Sequence, residues 1–426
     1  MNARTVAFKS LGCKLNQYEI QALREGFLKH GFSEVPATQS ADYYVLNTCT
    51  VTGGADSDAR SLIRVFHRLN PSAEIIVTGC YATADPEAVR NIEGVTWVEP
   101  NQSKNRILYK VTGLEETSEE ESPFFENGIS YFEERSRAFI KIQDGCNYFC
   151  TFCKIPYVRG RLVSRGEDRI LEEAARLVDY GYAELVLSGV CLGSYGKDSD
   201  DGRNLVKLIR RIARIPGRFR LRLSSIDPRD TPLELAELMA EEPKLTPHLH
   251  LSLQSGDDGV LSRMKRGYTA ARFEELTAGL RRIAPSIGLT TDLIVGFPGE
   301  DDAAFENTRA FLGRIGFHRV HLFPYSERPG TKAVGLSGAV PHAVIRERSE
   351  RLKVFLEDVT RRILEPLSGE TLEVLVESRS REGLLEGFSR EYYRCAFAGD
   401  DALKGTLQTV RVTGAAKGVL QTELVS

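Results

Sequence analysis

The sequence predicts an α/β protein in three parts: an N-terminal parallel-sheet α/β domain, a central partial (β/α)6 barrel and a small C-terminal β-barrel. Three observations predict it. Strand-like and helix-like runs alternate over residues 4–100, six further strand candidates separated by helical stretches run to residue 325, and residues 367–426 read as short strands alone. A chain of 426 residues is also too long for one ordinary core.

Composition narrows the class. Apolar residues at 42% and charged residues at 27% match a soluble globular protein, and no apolar run approaches the ~20 residues of a membrane span. The opening MNARTVAFKSLGC lacks the apolar core of a secretory signal, so a cytoplasmic location without a membrane partner is expected. A net charge of -3 offers no general attraction to polyanions, and any nucleic-acid contact must come from local patches.

In the first domain, residues 1–110, the runs TVAFKSLG, ADYYVLNTC and AEIIVTGC read as strands, with YEIQALREGFLKHGF and SDARSLIRVFHRL as helices between them. Ligands of parallel sheets gather beyond the carboxyl ends of the strands. Cys13, Cys49 and Cys80 each fall where a predicted strand ends, so three loops would bring one thiol apiece to a common edge. Residues 111–136 carry Glu115, Glu116, Glu119, Glu120 and Glu121 with little periodicity, as a solvated linker or surface hairpin would. Over 137–330 the strand candidates are RAFIKIQ, AELVLSGV, LRLSSI, HLHLSLQS, LTTDLIVGF and FHRVHLFPY, two short of a complete eightfold barrel. A charged amphipathic helix over 331–366 connects to the last barrel, 367–426.

Eight cysteines in a reducing compartment point to metal or catalysis rather than to disulfides. Cys146, Cys150 and Cys153 form a CxxxCxxC loop directly after the first barrel strand. Soft thiolates suit iron-sulfur clusters, and three of them leave one iron of a 4Fe-4S cube open to a ligand. The competing reading is a zinc knuckle, which normally needs four ligands, and no fourth Cys or His lies nearby in sequence. Cys13, Cys49 and Cys80 taken singly would each pass for a small buried apolar residue; three at equivalent strand ends suggest a second cluster.

The chain resembles the radical S-adenosylmethionine methylthiotransferase family from end to end. The resemblance is carried by SLGCKLNQYE at 10–19, LNTCTVT at 46–52, VTGCYA at 77–82, QDGCNYFCTFCKIPYVRGRLVSR at 143–165, LSLQSGDDGVLSRMKRGYT at 251–269 and DLIVGFPGE at 292–300. It implies a radical S-adenosylmethionine barrel in the centre and a TRAM-like RNA-binding barrel at the end. It also implies two 4Fe-4S clusters, an auxiliary one on Cys13, Cys49 and Cys80, and one on Cys146, Cys150 and Cys153 that binds S-adenosylmethionine. Two S-adenosylmethionine molecules would serve, as methyl donor and as radical source. The run Gly12-Cys13-Lys14-Leu15-Asn16-Gln17-Tyr18-Glu19 is similar to the branch that methylthiolates C2 of N6-threonylcarbamoyladenosine next to the anticodon in tRNA. Isopentenyladenosine or a ribosomal-protein side chain is the alternative substrate. A non-catalytic RNA-binding protein with structural metal clusters is the alternative of another class. A flavodoxin or ferredoxin as electron donor and a sulfur donor complete the expected partners.

Softer expectations attach to single positions. Gly189 would let backbone approach the cofactor, and Ser225, Gln254 and Arg266 lie at or beyond strand ends where its carboxylate and ribose should sit. Gly296, Pro298 and Gly299 resemble the family's adenine-lining turn; a plain turn explains them and Gly189 equally well, and surface or capping roles are the more ordinary account of Ser225, Gln254 and Arg266. Cys191 reads as a passive substitution, and His248 and His250 as satisfied interior histidines rather than metal ligands. For RNA, the candidates are Arg159, Arg161 and Arg165, the run Arg210, Arg211, Arg214, Arg218, Arg220 and Arg222, and the mixture Phe388, Arg390, Tyr392, Tyr393 and Arg394. A solvated face is the plainer account of any charge run.

Overall fold

Five parallel strands build the first domain: β1 (Thr5–Ser10), β2 (Ser33–Glu34), β3 (Tyr43–Thr48), β4 (Glu74–Gly79) and β5 (Val95–Glu99), in the order β2-β1-β3-β4-β5. The computed structural model describes residues 4–50, 53–113, 128–132 and 136–425, and most of the acidic segment expected as a linker or hairpin lies outside them. Every residue of β3 is buried, as a strand covered on both faces must be. Tyr44, Ile63 and Phe66 pack on one side of the sheet, and Val6, Phe27 and Val45 on the other.

The six strand candidates of the centre all form. They are β6 (Ala138–Lys141), β9 (Glu184–Ser188), the broken pair β10 (Arg220–Leu223) and β11 (Ser225–Ile226), β12 (His248–Leu251), β13 (Gly288–Val295) and β14 (Arg319–Pro324). A short antiparallel pair, β7 (Gln143–Asp144) with β8 (Val163–Ser164), brackets the CxxxCxxC loop. The strand predicted from LRLSSI breaks at Ser224, whose N–H turns to Leu187 O at 2.9 Å, so the curved sheet runs β6-β9-β10 and then β11-β12-β13-β14. β6 and β14 stay unjoined among the described residues. Helix α1 (Lys14–Lys29) of the first domain packs against the edge strand β6. One continuous core runs from Tyr18 of α1 through the barrel to Ile345 and Leu352 of the long helix His342–Leu364.

The closing domain is a closed five-stranded barrel of β15 (Thr371–Arg379), β16 (Leu385–Ser389), β17 (Arg394–Phe397), β18 (Leu407–Ala416) and β19 (Val419–Leu424). Val374, Leu385, Phe397, Val410 and Leu420 fill it. Its β16–β17 turn enters the central barrel where the strands begin. Arg220 donates to Phe388 O at 2.8 Å, and Arg222 to Ser389 O at 3.0 Å and Arg390 O at 3.1 Å. Tyr392 stacks between His248, 4.6 Å away, and Phe388, 4.4 Å away. A Cβ on Gly288 would lie 2.0 Å from Glu391 O, so only glycine lets the turn seat this deeply.

This seating corrects the RNA reading of that turn. Tyr392 stacks on His248 of the barrel floor and carries Phe388 on its other face, Tyr393 meets His318 edge-on, and Arg390 donates to Pro243 O and Leu245 O. Arg220 and Arg222 are buried against Glu184, and Arg210 and Arg211 pair with Glu241 and with Glu167 and Asp168. Mixed aromatics and cations look alike in sequence whether they await a base or another domain.

Candidate active site and cluster-binding loops

The CxxxCxxC loop is held shut by backbone. A Cβ on Gly145, at φ +68, would lie 1.9 Å from Arg161 O, and Cys146 N–H donates to Gly160 O at 3.1 Å, so both ends of the loop meet over a glycine. Thr151 anchors the middle, its N–H to Met264 O and its hydroxyl to Arg263 O. Phe149, Gln254 and Lys265 are non-glycine residues with positive φ in or beside this loop, a conformation that surrounding structure must enforce. Arg266 follows Lys265 and donates to Cys150 Sγ at 3.3 Å and Ser252 O at 2.6 Å, while pairing with Asp227 at 2.8 Å. A hydrogen bond from Cys191 brings the Cys146 thiol down to about 7, and burial pushes Cys153 up to about 12. Loading a metal on Cys153 must therefore displace its proton.

The other triad assembles at the carboxyl edge of the first sheet. Cys13 caps α1, Cys49 follows β3, and Cys80 opens a one-turn helix directly after β4. Gly12, at φ +94, lies so close to Cys49 that a Cβ there would sit 2.7 Å from its Sγ. Asn101 donates to Cys80 Sγ at 3.5 Å, and Asn16, 3.7 Å from Cys13 Sγ, donates to Leu11 O and Thr48 O. Burial raises the Cys80 thiol.

Each triad offers three thiolates, one short of the four ligands of a structural zinc site. Zinc at ~2.3 Å from each sulfur requires thiolates in close mutual contact. Among the described residues, the three potential ligand atoms lying within 4.8 Å of one another are those of His250, Asp292 and His321, and not those of either cysteine triad. Three soft thiolates leave one iron of a four-iron cube open, so the donor sets fit two clusters better than two zinc knuckles.

A cavity of about 230 Å³ lies at the seam between the two domains. Thr50, beside Cys49, borders it from one domain, and Phe152, Cys153, Gln254 and Asp292 from the other. Arg328 closes that seam by donating to Thr50 and Asp56. Beneath the seam lies a buried charge network. Glu19 of α1 binds Arg159 at 2.9 Å, Lys141 at 2.8 Å and Lys104, while Asp144 binds Arg159 at 3.0 Å and Lys141 at 2.6 Å.

The remaining expected positions scatter. Gln254 lines the cavity and Arg266 contacts the cysteine loop. The close approach at Gly189 is to Gln143, and at Gly296 to Ile345 of the long helix, so protein groups fill the spaces these glycines leave. Ser225 opens β11 beside His250. Arg159 and Arg165 are buried in pairs with Glu19, Asp144 and Glu173 and do not face RNA; Arg161 is exposed. Cys191 lies against Cys146, with its Sγ 3.2 Å from Asp230 Oδ2. His248 bonds Thr290, and His250 bonds Thr290 and Asp292. Sequence reasoning missed Asp230, which gathers Tyr148, Ser194, Cys191 and Lys197 around Cys146. It also missed Asp227 and the lumen-facing Lys14. No spacing signal marks these residues, because their partners are 36 or more positions away for the Asp230 contacts with Ser194 and Cys191.

The barrel with its cysteine loop defines a class. Residues 140–312 match the family described as the Radical SAM superfamily, and residues 5–98 match Uncharacterized protein family UPF0004. The chain is a radical S-adenosylmethionine enzyme. The fold is similar to the radical S-adenosylmethionine methyltransferase TsrM from Kitasatospora setae, with a TM-score of 0.58 at 16% identity over 78% of this chain and 77% of that one. In sequence, the chain is 38% identical to the threonylcarbamoyladenosine tRNA methylthiotransferase MtaB of Thermotoga maritima, over 96% of this chain and 94% of the relative. It is 34% identical to the tRNA-2-methylthio-N(6)-dimethylallyladenosine synthase of Moorella thermoacetica, over 99% and 98%. The chain belongs to the tRNA methylthiotransferase family.

Proposed function

We propose that this enzyme places a methylthio group on C2 of N6-threonylcarbamoyladenosine beside the anticodon of tRNA, in the cytoplasm. The observation that carries the proposal is one cavity bordered both by Thr50, next to Cys49, and by Cys153. A group delivered from one triad and a carbon activated at the other must meet in such a space. Similarity to relatives named for this substrate supports the choice of adenosine.

When bound, the two clusters and S-adenosylmethionine supply the radical, the methyl group and the site for sulfur. Cys146, Cys150 and Cys153 hold the cluster that binds S-adenosylmethionine, and Cys13, Cys49 and Cys80 hold the auxiliary one. A C–H bond on an aromatic ring offers no acidic proton, so the protein's task is to orient and to exclude water. Arg266 fixes the Cys150 side of the loop, and Gln254 is held rigidly at the cavity wall by N–H donation to Asp292 O and acceptance from Ile294 N. A flavodoxin or ferredoxin and a sulfur donor supply electrons and sulfur.

Anaerobic reconstitution with iron, sulfide, reductant and S-adenosylmethionine, followed by nucleoside mass spectrometry, tests the reading. A methylthio gain only on tRNA that carries the threonylcarbamoyl group is expected. Gain on isopentenyladenosine alone would move the substrate to the neighbouring branch.

A further inference from the structure

Lys14 is the first helical residue after Cys13, and its side chain leaves the first domain for the lumen of the barrel. Its ammonium lies 5.9 Å from the ring of Phe139 on β6 and within electrostatic reach of Arg137, Arg222, Glu184 and Asp292. Asp292 also borders the cavity that Cys153 and Gln254 line. Lys14 is exposed although protein surrounds it, and among the described residues it makes no salt bridge or hydrogen bond. Its neighbours differ. Arg222 is satisfied by Glu184 and two carbonyls, Arg137 by Glu184 and Glu377, and Asp292 by His250 and His321.

An exposed ammonium with two guanidinium groups in reach and no direct ion pair of its own is open to an anion that a ligand brings. The anion must be small enough to enter the lumen and must arrive with the ligand. We propose that Lys14 binds the carboxylate of the threonyl group of the substrate base, and that this contact distinguishes an anionic N6 substituent from an apolar one. The proposal rests on the substrate reading above and adds the residue that selects it. A carboxylate is the one negative charge that the threonylcarbamoyl group carries, and an isopentenyl group has none. An apolar substituent would leave the ammonium buried and unpaired, which gives rejection as well as recognition.

The test uses full-length reconstituted enzyme and an anticodon stem-loop carrying threonylcarbamoyladenosine, either as the free acid or as its methyl ester. Wild type, Lys14→Gln and Lys14→Arg are compared for KM and kcat of methylthiolation, with iron content and 5′-deoxyadenosine formation as checks that each variant is loaded. The expected result is a KM on the free acid raised roughly ten- to a hundredfold in Lys14→Gln, the range of one charge-assisted hydrogen bond. Lys14→Arg recovers most of that loss. On the ester, wild type and Lys14→Gln should have the same KM, because the charge they differ in recognising is gone. An unchanged KM on the acid, or an equal loss on acid and ester, overturns the role of Lys14 while leaving the substrate reading intact. Wild-type enzyme inactive on the free acid overturns the substrate reading and this proposal with it.

Discussion

Glu19 and Asp144 are held by one guanidinium, that of Arg159, at 2.9 and 3.0 Å. Glu19 lies on α1, six residues after Cys13, and Asp144 lies two residues before Cys146, so a single side chain ties the helix that bears one cysteine site to the strand that bears the other. Burial alone would push the Glu19 carboxyl up, but Arg159, Lys104 and Lys141 outweigh it and hold the carboxyl well below the usual carboxylate range. Arg159→Met should leave two buried carboxylates short of one partner and cost about 3–5 kcal/mol. Chemical denaturation of the apoprotein measures this, and a change under ~1 kcal/mol would mean that water or the lysines replace the guanidinium.

The histidines beneath the C-terminal barrel predict an acid limit. Burial drives His248 well below the usual histidine range and His318 to about 3, so both are neutral in the fold. The unfolded chain takes up protons below about pH 6.5, and stability present above that value falls as pH drops toward the folded values. Each histidine should remove about 2 kcal/mol between pH 6.5 and 5. Denaturant unfolding of wild type and His318→Phe across this range checks it, the variant having the shallower slope.

Cys191 hydrogen-bonds Cys146 and lies 3.2 Å from Asp230, a polar role that a hydroxyl can take over. Cys191→Ser should retain most 5′-deoxyadenosine formation and full iron loading. An inactive variant with its iron intact would instead give the thiol a direct part in the chemistry.

Tyr392 stacks on His248 of the barrel floor and Phe388 stacks on Tyr392, so their loss should register in stability before it registers in RNA binding. Phe388→Ala and Tyr392→Ala are each expected to cost about 2 kcal/mol, less than a fully buried aromatic because both rings are partly exposed. Their tRNA affinity at fixed salt should match wild type. Weakened binding at unchanged stability would return these rings to the RNA surface.

Replacing Cys13, Cys49 and Cys80 together by Ala should halve the iron content and abolish methylthio transfer, while S-adenosylmethionine is still cleaved. Cleavage lost along with transfer would place both functions on one cluster.

The six central strands and the strand-end placement of all six cysteines were legible because hydrophobic periodicity and residue spacing are local signals. Cys13, Cys49 and Cys80 could be read as one site since parallel strands deliver their carboxyl ends to the same edge. Position within a site was less legible. Arg159, Arg165, Arg220 and Arg222 looked like phosphate contacts, and Phe388 and Tyr392 like base platforms, because sequence shows which groups carry charge or a π-face but not what covers them. Their partners Glu19, Glu173, Glu184 and His248 come from other elements, and in the case of Tyr392 from another domain. The cysteine chemistry was therefore determined by the sequence itself. Which cations are neutralised inside the fold, and that Lys14 stays exposed without an ion pair of its own, was decided only by the packing of three domains, since a buried charge must find its counter-charge wherever the chain brings one within reach.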